Sequence, residues 1–259
     1  MRGATVDPNQ IDVYIAQPVR CPYLPDREEQ KLLVPLDSGG AAVYDALIAL
    51  GFRRSGRWAY RPRCVGCVAC VPVRIEIAAF VPSRSQRRAA RASASLVAAL
   101  HDGAVDDDAY QLFTRYLDAR HADGNMAAMG ERDFEEMMRA DIVHSEFWRW
   151  RDGSGELQAA MLVDVVADGI SLVYSFFAPE RANRSPGVAI VLAAVAEAQR
   201  RGLPYVYLGY WVDGCAKMTY KAAFAGLEAF SGARWRAVHL PDPRRTLNPA
   251  DDNRSGPDG

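Results

Sequence analysis

The chain has 259 residues, 49% of them hydrophobic and 24% charged, a make-up that supports one sizeable core or two small ones and excludes disorder over most of the length. A net charge of -1 gives no overall pull toward a polyanion or a membrane surface. The most apolar run, Val188 to Ala196, is too short to span a bilayer.

In chain order, residues 41–50 (AAVYDALIAL) have the composition of a helix that stops at Gly51, a left-handed C-cap residue. VPVRIEI, residues 71–77, alternates as a strand. PSRSQRRAARASASLVAAL, residues 82–100, reads as a helix opened by Ser83, and Tyr110 to Arg120 reads as another. LQAAMLVDVV (157–166) and ISLVYSFF (170–177) are two strands joined by Ala167-Asp168-Gly169, and Asp-Gly is a strong hairpin signal. Ser185 is expected to cap a helix with Pro186 at its first position; VAIVLAAVAEAQRR runs on to Gly202. The strand YVYLGY (205–210) follows, then a short helix over Lys217 to Phe224. The pattern is α/β (α+β), and its second half matches the strand, strand, helix, strand order of an acetyltransferase-like (GNAT) fold. Three ranges are expected: an N-terminal cysteine-containing domain over 10–100, a GNAT-like domain over 105–236, and a mobile tail over 237–259.

Charge is unevenly distributed along these elements. Between Ala46 and Arg91 ten arginines (Arg53, Arg54, Arg57, Arg61, Arg63, Arg74, Arg84, Arg87, Arg88 and Arg91) meet one acid, Glu76, and no lysine. From Asp102 to Asp141 eleven acids meet four arginines. A basic face is expected. Within it, Ser83 would open a helix bearing Arg84, Arg87, Arg88 and Arg91, and guanidinium groups beside free helix N–H groups suit a carboxylate or a phosphate. The alternative is a solvated basic face.

Cys64-Val-Gly-Cys67-Val-Ala-Cys70 places three thiols at spacing three, and Cys21 in an earlier loop would make four, enough for a structural zinc or iron–sulfur centre. Cys67 and Cys70 read equally well as small core residues. Five cysteines without a secretion signal suit a reducing compartment, so a cytoplasmic location and no membrane association are expected. The run from Leu208 to Lys221 carries Tyr210, Trp211, Lys217, Tyr220 and Lys221; aromatics with lysines suit an unpaired RNA end, by stacking and by phosphate contact. His121 and Asp123 could form a proton-accepting pair at a helix end. Arg184-Ser-Pro-Gly-Val-Ala fits the short acetyl-CoA pyrophosphate signature R-x-x-G-x-A, although Pro186 and Gly187 are also ordinary helix-start residues.

CPYLPDREEQK at Cys21, GFRRSGRWAYRPRCVGCVACVPVRI at Gly51, FVPSRSQRRAAR at Phe80, YLDARHADGNM at Tyr116 and GLPYVYLGYWVDGCAKMTYKAAF at Gly202, taken together, resemble the bacterial aspartate/glutamate leucyltransferases, relatives of the arginyl-tRNA–protein transferases. The likeness covers roughly residues 10–236. It implies a cysteine-bearing N-terminal domain, a GNAT-like C-terminal domain using aminoacyl-tRNA where acetyltransferases use acetyl-CoA, and acceptor proteins beginning with Asp or Glu. Eukaryotic relatives carry an N-terminal cysteine pair for a metal or iron–sulfur centre; here Cys21 matches and Leu24 stands at the second position. On this resemblance His121 and Asp123 become the catalytic candidates. Arg84 and Arg87 become the acceptor-carboxylate candidates. Tyr210, Trp211, Lys217, Tyr220 and Lys221 become those for the tRNA 3′ end. The chemistry itself requires no cofactor. The open rivals are an arginyl-tRNA–protein transferase, a CoA-dependent N-acetyltransferase and a zinc-containing RNA-binding module.

Overall fold

A computed structural model describes residues 11–36, 40–102, 105–120, 129–138, 141–231 and 233–241. The expected tail therefore lies outside the described residues from 242 onward, as do His121 and Asp123. The first part of the chain forms β1 (Tyr14–Ile15), β2 (Val19–Arg20), β3 (Glu28–Glu29), β4 (Lys31–Pro35), α1 (Gly40–Ala49), β5 (Arg53–Ser55), β6 (Trp58–Pro62), β7 (Cys70–Glu76), α2 (Arg84–Ala92) and β8 (Val97–Asp102). The remainder forms α3 (Asp107–Arg120), α4 (Glu131–Met137), β9 (Ser145–Arg151), β10 (Leu157–Val166), β11 (Gly169–Phe177), α5 (Pro186–Arg201), β12 (Tyr205–Val212), β13 (Leu227–Ser231) and β14 (Arg234–Ala237).

Eight strands make one sheet in the order β14-β13-β7-β12-β11-β10-β9-β8, and four more make a small sheet in the order β1-β4-β6-β5. Among the described residues of the large sheet only β11 and β12 run parallel, because the chain leaves β11 and returns through α5, the crossover that a parallel pair requires. The GNAT-like order of strand, strand, helix, strand is thus present as β10, β11, α5 and β12. Strands β7 and β8, both from the first 102 residues, share the sheet with the C-terminal half.

The period of two along β10 divides the core. Ala159, Met161 and Val163 join the cluster under α5 with Trp148, Ile190, Ala194, Val206 and Leu208. Ala160 and Leu162 face the other way, toward Phe113 and Leu117 of α3 and Phe134 of α4. Val166 meets Tyr44 and Ile48 of α1 and Val34 of β4. Side chains of a strand alternate between faces, so a run apolar at every position must be covered on both sides.

Four local readings need correction. The helix opened by Ser83 ends at Ala92 rather than Leu100, and Val97–Asp102 is an edge strand paired with β9; pairing overrides the helical preference of an alanine- and leucine-rich stretch. The β10–β11 turn is Ala167-Asp168, with Gly169 already paired to Val166. Gly169 is required for close approach, since a Cβ there would lie 2.5 Å from the Tyr205 carbonyl oxygen. Ser185 precedes α5 with φ 56° and no side-chain capping bond. Residues Ala216–Ala223 wind as a 3-10 helix.

Candidate functional site

The parallel pairing of β11 with β12 covers only Gly169↔Tyr205, Ile170↔Val206 and Ser171↔Tyr207. Beyond it the strands part: β11 stays with β10 as far as Phe177, while β12 continues along β7 with an irregularity between Tyr207 and Gly209. Gly209 has φ 83°, and a Cβ on it would stand 3.5 Å from Arg53 Nε. Arg53 reaches from β5 into this gap. Its Nη2 donates to the carbonyl of Leu172, the first β11 residue past the parallel pairs. Its Nη1 is buried without a partner.

Lys221, in the 3-10 helix after β12, enters the same region. It is 6% exposed, and its Nζ donates to the Tyr210 carbonyl at 2.6 Å. Burial, and then the Arg53 charge, pull the Lys221 ammonium down to about 7 against a weaker opposing influence from Cys215. The Tyr210 hydroxyl lies 3.0 Å from the Gly51 carbonyl and 3.1 Å from that of Tyr60, and burial raises its pKa. Tyr23, Leu24, Tyr60, Cys70 and Met218, partly buried, pack against Tyr210, Val212 and Cys215 here.

A groove of about 960 Å³ lies on the side where α5 begins, between α2, the 3-10 helix and the β13–β14 hairpin. Arg88 and Arg184 line it with Val188, Tyr220, Phe224 and Leu240. A capping box holds the edge contributed by α2: Gln86 N donates to Ser83 Oγ at 3.2 Å, and Ser83 N donates to Gln86 Oε1 at 2.8 Å. Tyr220 and Phe224 stand edge to face, with centroids 6.5 Å apart, and burial pushes the Tyr220 phenol up to about 12.

The other expected site residues divide between surface and interior. Arg84, Arg87 and Arg91 are exposed, and Arg87 Nη1 donates to the Pro82 carbonyl at 2.6 Å. Lys217 is exposed, with Nζ 3.1 Å from the carbonyl of Arg120 at the end of α3. Tyr210 and Trp211 are each 5% exposed, Trp211 under α5 and Tyr210 beside the gap. The expected basic face loses three members to the interior: Arg53, Arg54 and Arg74 are all buried. Within a run of ten arginines nothing in the sequence marks Arg53 apart as a site residue; only its burial does.

The thiols of Cys21, Cys64, Cys67 and Cys70 are all free and partly buried. They influence one another: Cys70 is pushed up to about 12 by burial and by Cys64, Cys21 and Cys67, in that order. Cys64 Sγ is engaged by the Gln30 backbone, accepting from its N at 3.5 Å. Among the described residues no group of three or more His, Cys, Asp or Glu is arranged to hold a metal ion, so this arrangement does not fit the expected zinc or iron–sulfur centre. Among the same residues no helix is long and apolar enough to cross a membrane.

The site is thus a partly buried gap holding Arg53 and Lys221, beside a groove with aromatic and cationic walls. Models described as Arginine-tRNA-protein transferase, N terminus, and Arginine-tRNA-protein transferase, C terminus, match residues 19–88 and 108–231. An Aspartate/glutamate leucyltransferase of Paramagnetospirillum magneticum is 43% identical over 224 residues, covering 86% of this chain and 92% of the relative. One of Ruegeria pomeroyi is 44% identical over 232 residues, covering 88% and 85%. The chain belongs to this aspartate/glutamate leucyltransferase family. Among solved structures, L-PGS from Bacillus licheniformis superposes with a TM-score of 0.42 and 12% identity, covering 55% of this chain and 45% of that one.

Proposed function

We propose that the chain transfers leucine from leucyl-tRNA to the N-terminal Asp or Glu of acceptor proteins, marking them as N-degrons for degradation. The observation that carries this reading is the 43% identity over 92% of the length of a relative named for that activity. The groove supports it physically. Partly exposed Tyr220 offers a face for an unpaired 3′-terminal base, Arg88 and Arg184 offer charge for the phosphates, and Val188 and Leu240 offer an apolar wall for the leucyl side chain. Exposed Lys217, Arg84, Arg87 and Arg91 extend the phosphate-binding surface beyond the groove. Aminoacyl-tRNA as donor places the reaction in the cytoplasm.

The acceptor's α-amine nitrogen bonds to the ester carbonyl carbon, the bond from that carbon to the ribose oxygen breaks, and the amine proton passes to the released ribose oxygen, which becomes a hydroxyl. With a reference pKa near ~8 the amine is partly neutral at physiological pH, and the ester is already activated. Positioning is therefore the main contribution, roughly 7–11 kcal/mol of barrier. A general base adds a typical ~10²–10⁴-fold, a role we assign to His121 and Asp123, which directly follow α3. No step calls for a metal.

Incubating the protein with an Asp-initiated peptide and a complete set of charged tRNAs tests the reading by mass spectrometry. A gain of the leucyl mass is expected. Arginyl mass with leucyl-tRNA inert would reassign the donor, and no extension with any tRNA would overturn the proposal.

A further inference from the structure

Among the described residues four arginines are buried: Arg53, Arg54, Arg74 and Arg149. Three of them meet carboxylates, with Arg54 on Asp164 at 2.7 Å, Arg74 on Glu228 at 2.7 Å and Arg149 on Asp106 at 3.3 Å. Arg53 meets none among the described residues. Its bonded nitrogen is spent on a backbone carbonyl and its Nη1 has no partner. Lys221, also buried, likewise has among the described residues a carbonyl for Nζ and no carboxylate. The two cations act on each other unfavourably, and such a pair is costly to bury without a counter-charge.

The gap lies where β11 and β12 part. The strands on either side have stopped pairing with each other, and Gly209 leaves open the space that a Cβ would take next to Arg53. The side chains packed at this end, Tyr23, Leu24, Tyr60 and Met218, are only partly buried, whereas Arg53 and Lys221 are buried. Lys221 adjoins Tyr220, which lines the groove proposed for the aminoacyl end, so an acceptor held by Lys221 is held one residue from the donor.

We infer that Arg53 and Lys221 form the pocket for the side-chain carboxylate of the acceptor's N-terminal Asp or Glu, making them the residues that select acidic N-termini. The inference rests on the leucyl-transfer reading. Arg53 supplies a charge-assisted donor through its free Nη1, and Lys221 supplies a second from the 3-10 helix. An amide at the same position, as in Asn, offers no compensating charge, so the buried cations discriminate against it.

The test uses the full chain carrying Arg53→Lys or Lys221→Met, with peptides beginning Asp, Glu and Asn and with leucyl-tRNA. Binding of the same peptides without tRNA is measured by fluorescence anisotropy. Each variant is expected to lower kcat/KM for Asp and Glu peptides by roughly 10- to 150-fold, the loss of one hydrogen bond to a charged group, while tRNA affinity stays at the wild-type value and the preference for Asp over Asn collapses. Variants that keep that preference, or that lose tRNA affinity in step with transfer to every peptide, would overturn the inference. If the wild-type chain transfers leucine to nothing, the functional reading fails; the tRNA-free binding preference for Asp over Asn peptides, and its loss in the variants, still decides the pocket. Should Arg53→Lys fail to fold, Lys221→Met, which removes a buried charge at similar volume, decides alone.

Discussion

Arg54 Nε and Nη2 donate to the two carboxylate oxygens of Asp164 at 2.9 and 2.7 Å, with both side chains wholly buried. The pair joins β5 of the small sheet to β10 of the large one, and Ser145 Oγ completes Asp164 with a 2.7 Å bond. Asp164→Asn keeps the shape but strands the guanidinium. The expected cost is about 3–5 kcal/mol, the usual penalty for removing one partner of a buried ion pair. Chemical denaturation of the variant measures it; a change under 1 kcal/mol would mean that the pair is dispensable.

Lys221 carries a pH signature of its own. The groups facing it are Arg53 on β5, Tyr210 on β12 and Cys215 before the 3-10 helix. Its folded pKa of about 7 lies below the ordinary 10.5, so between those values the unfolded chain binds a proton that the folded chain does not, and stability rises with pH there. Below about 7 both states are charged and the burial penalty is constant. Lys221→Met is therefore expected to stabilise the fold, by most at pH 6 and by progressively less as pH rises from 7 toward 10. Melting curves at three pH values check this, and a gain that grows with pH would contradict it.

Arg88 and Arg184 line the groove, whereas Arg84 and Arg87 stand outside it. If all four meet phosphates, each alanine substitution should weaken leucyl-tRNA binding for every acceptor alike and flatten the salt dependence by somewhat under one unit of slope, the value for single strands. Only Arg88→Ala and Arg184→Ala should also raise KM for leucyl-tRNA fragments reduced to the 3′-terminal nucleotides. Equal KM effects from all four would place the 3′ end elsewhere.

The cysteine cluster should be indifferent to chelation. Cys64 is held by the Gln30 backbone and Cys70 stays a thiol far above neutral pH. Dialysis against EDTA is expected to leave the melting temperature within a degree of the untreated protein, and elemental analysis to find far less than one zinc or iron per chain. Stoichiometric metal, or a marked drop in melting temperature, would mean that the thiols rearrange around an ion.

The capping box of Ser83 with Gln86 fixes one wall of the groove. Ser83→Ala should cost about 1 kcal/mol, typical of a lost N-cap, and loosen leucyl-tRNA binding without changing the preference among acceptor peptides. A variant with wild-type stability would show that α2 is held by its packing on α5 alone.

What was legible in the sequence was whatever local chemistry dictates. Asp168-Gly169 announced the hairpin, Pro186 and Gly202 bracketed α5, and Ser83 opened α2, because turns and caps depend on a few adjacent residues. Strand β8 looks helical in the sequence because LVAAL has no local reason to extend; its reason is β9, SEFWRWR, in which every residue from Glu146 to Trp150 is buried. The small sheet was missed for the same cause. At the site, Arg88 and Tyr220 were legible as basic and aromatic residues, whereas Arg53 was not, since its meaning comes from Gly209 and Leu172, more than a hundred residues away.

Strand β7 runs from Cys70 to Glu76 yet lies between β12 and β13, paired with Tyr205–Val212 on one edge and Leu227–Ala229 on the other. During synthesis, β7 leaves the ribosome long before either neighbour exists and has no place to settle until almost the whole chain has emerged. Sheet completion is thus a late event governed by closure of a long loop, which favours slow folding. A nascent chain stalled near residue 200 would present β7 as an unpaired apolar strand, a ready target for a chaperone or for misassociation with another copy.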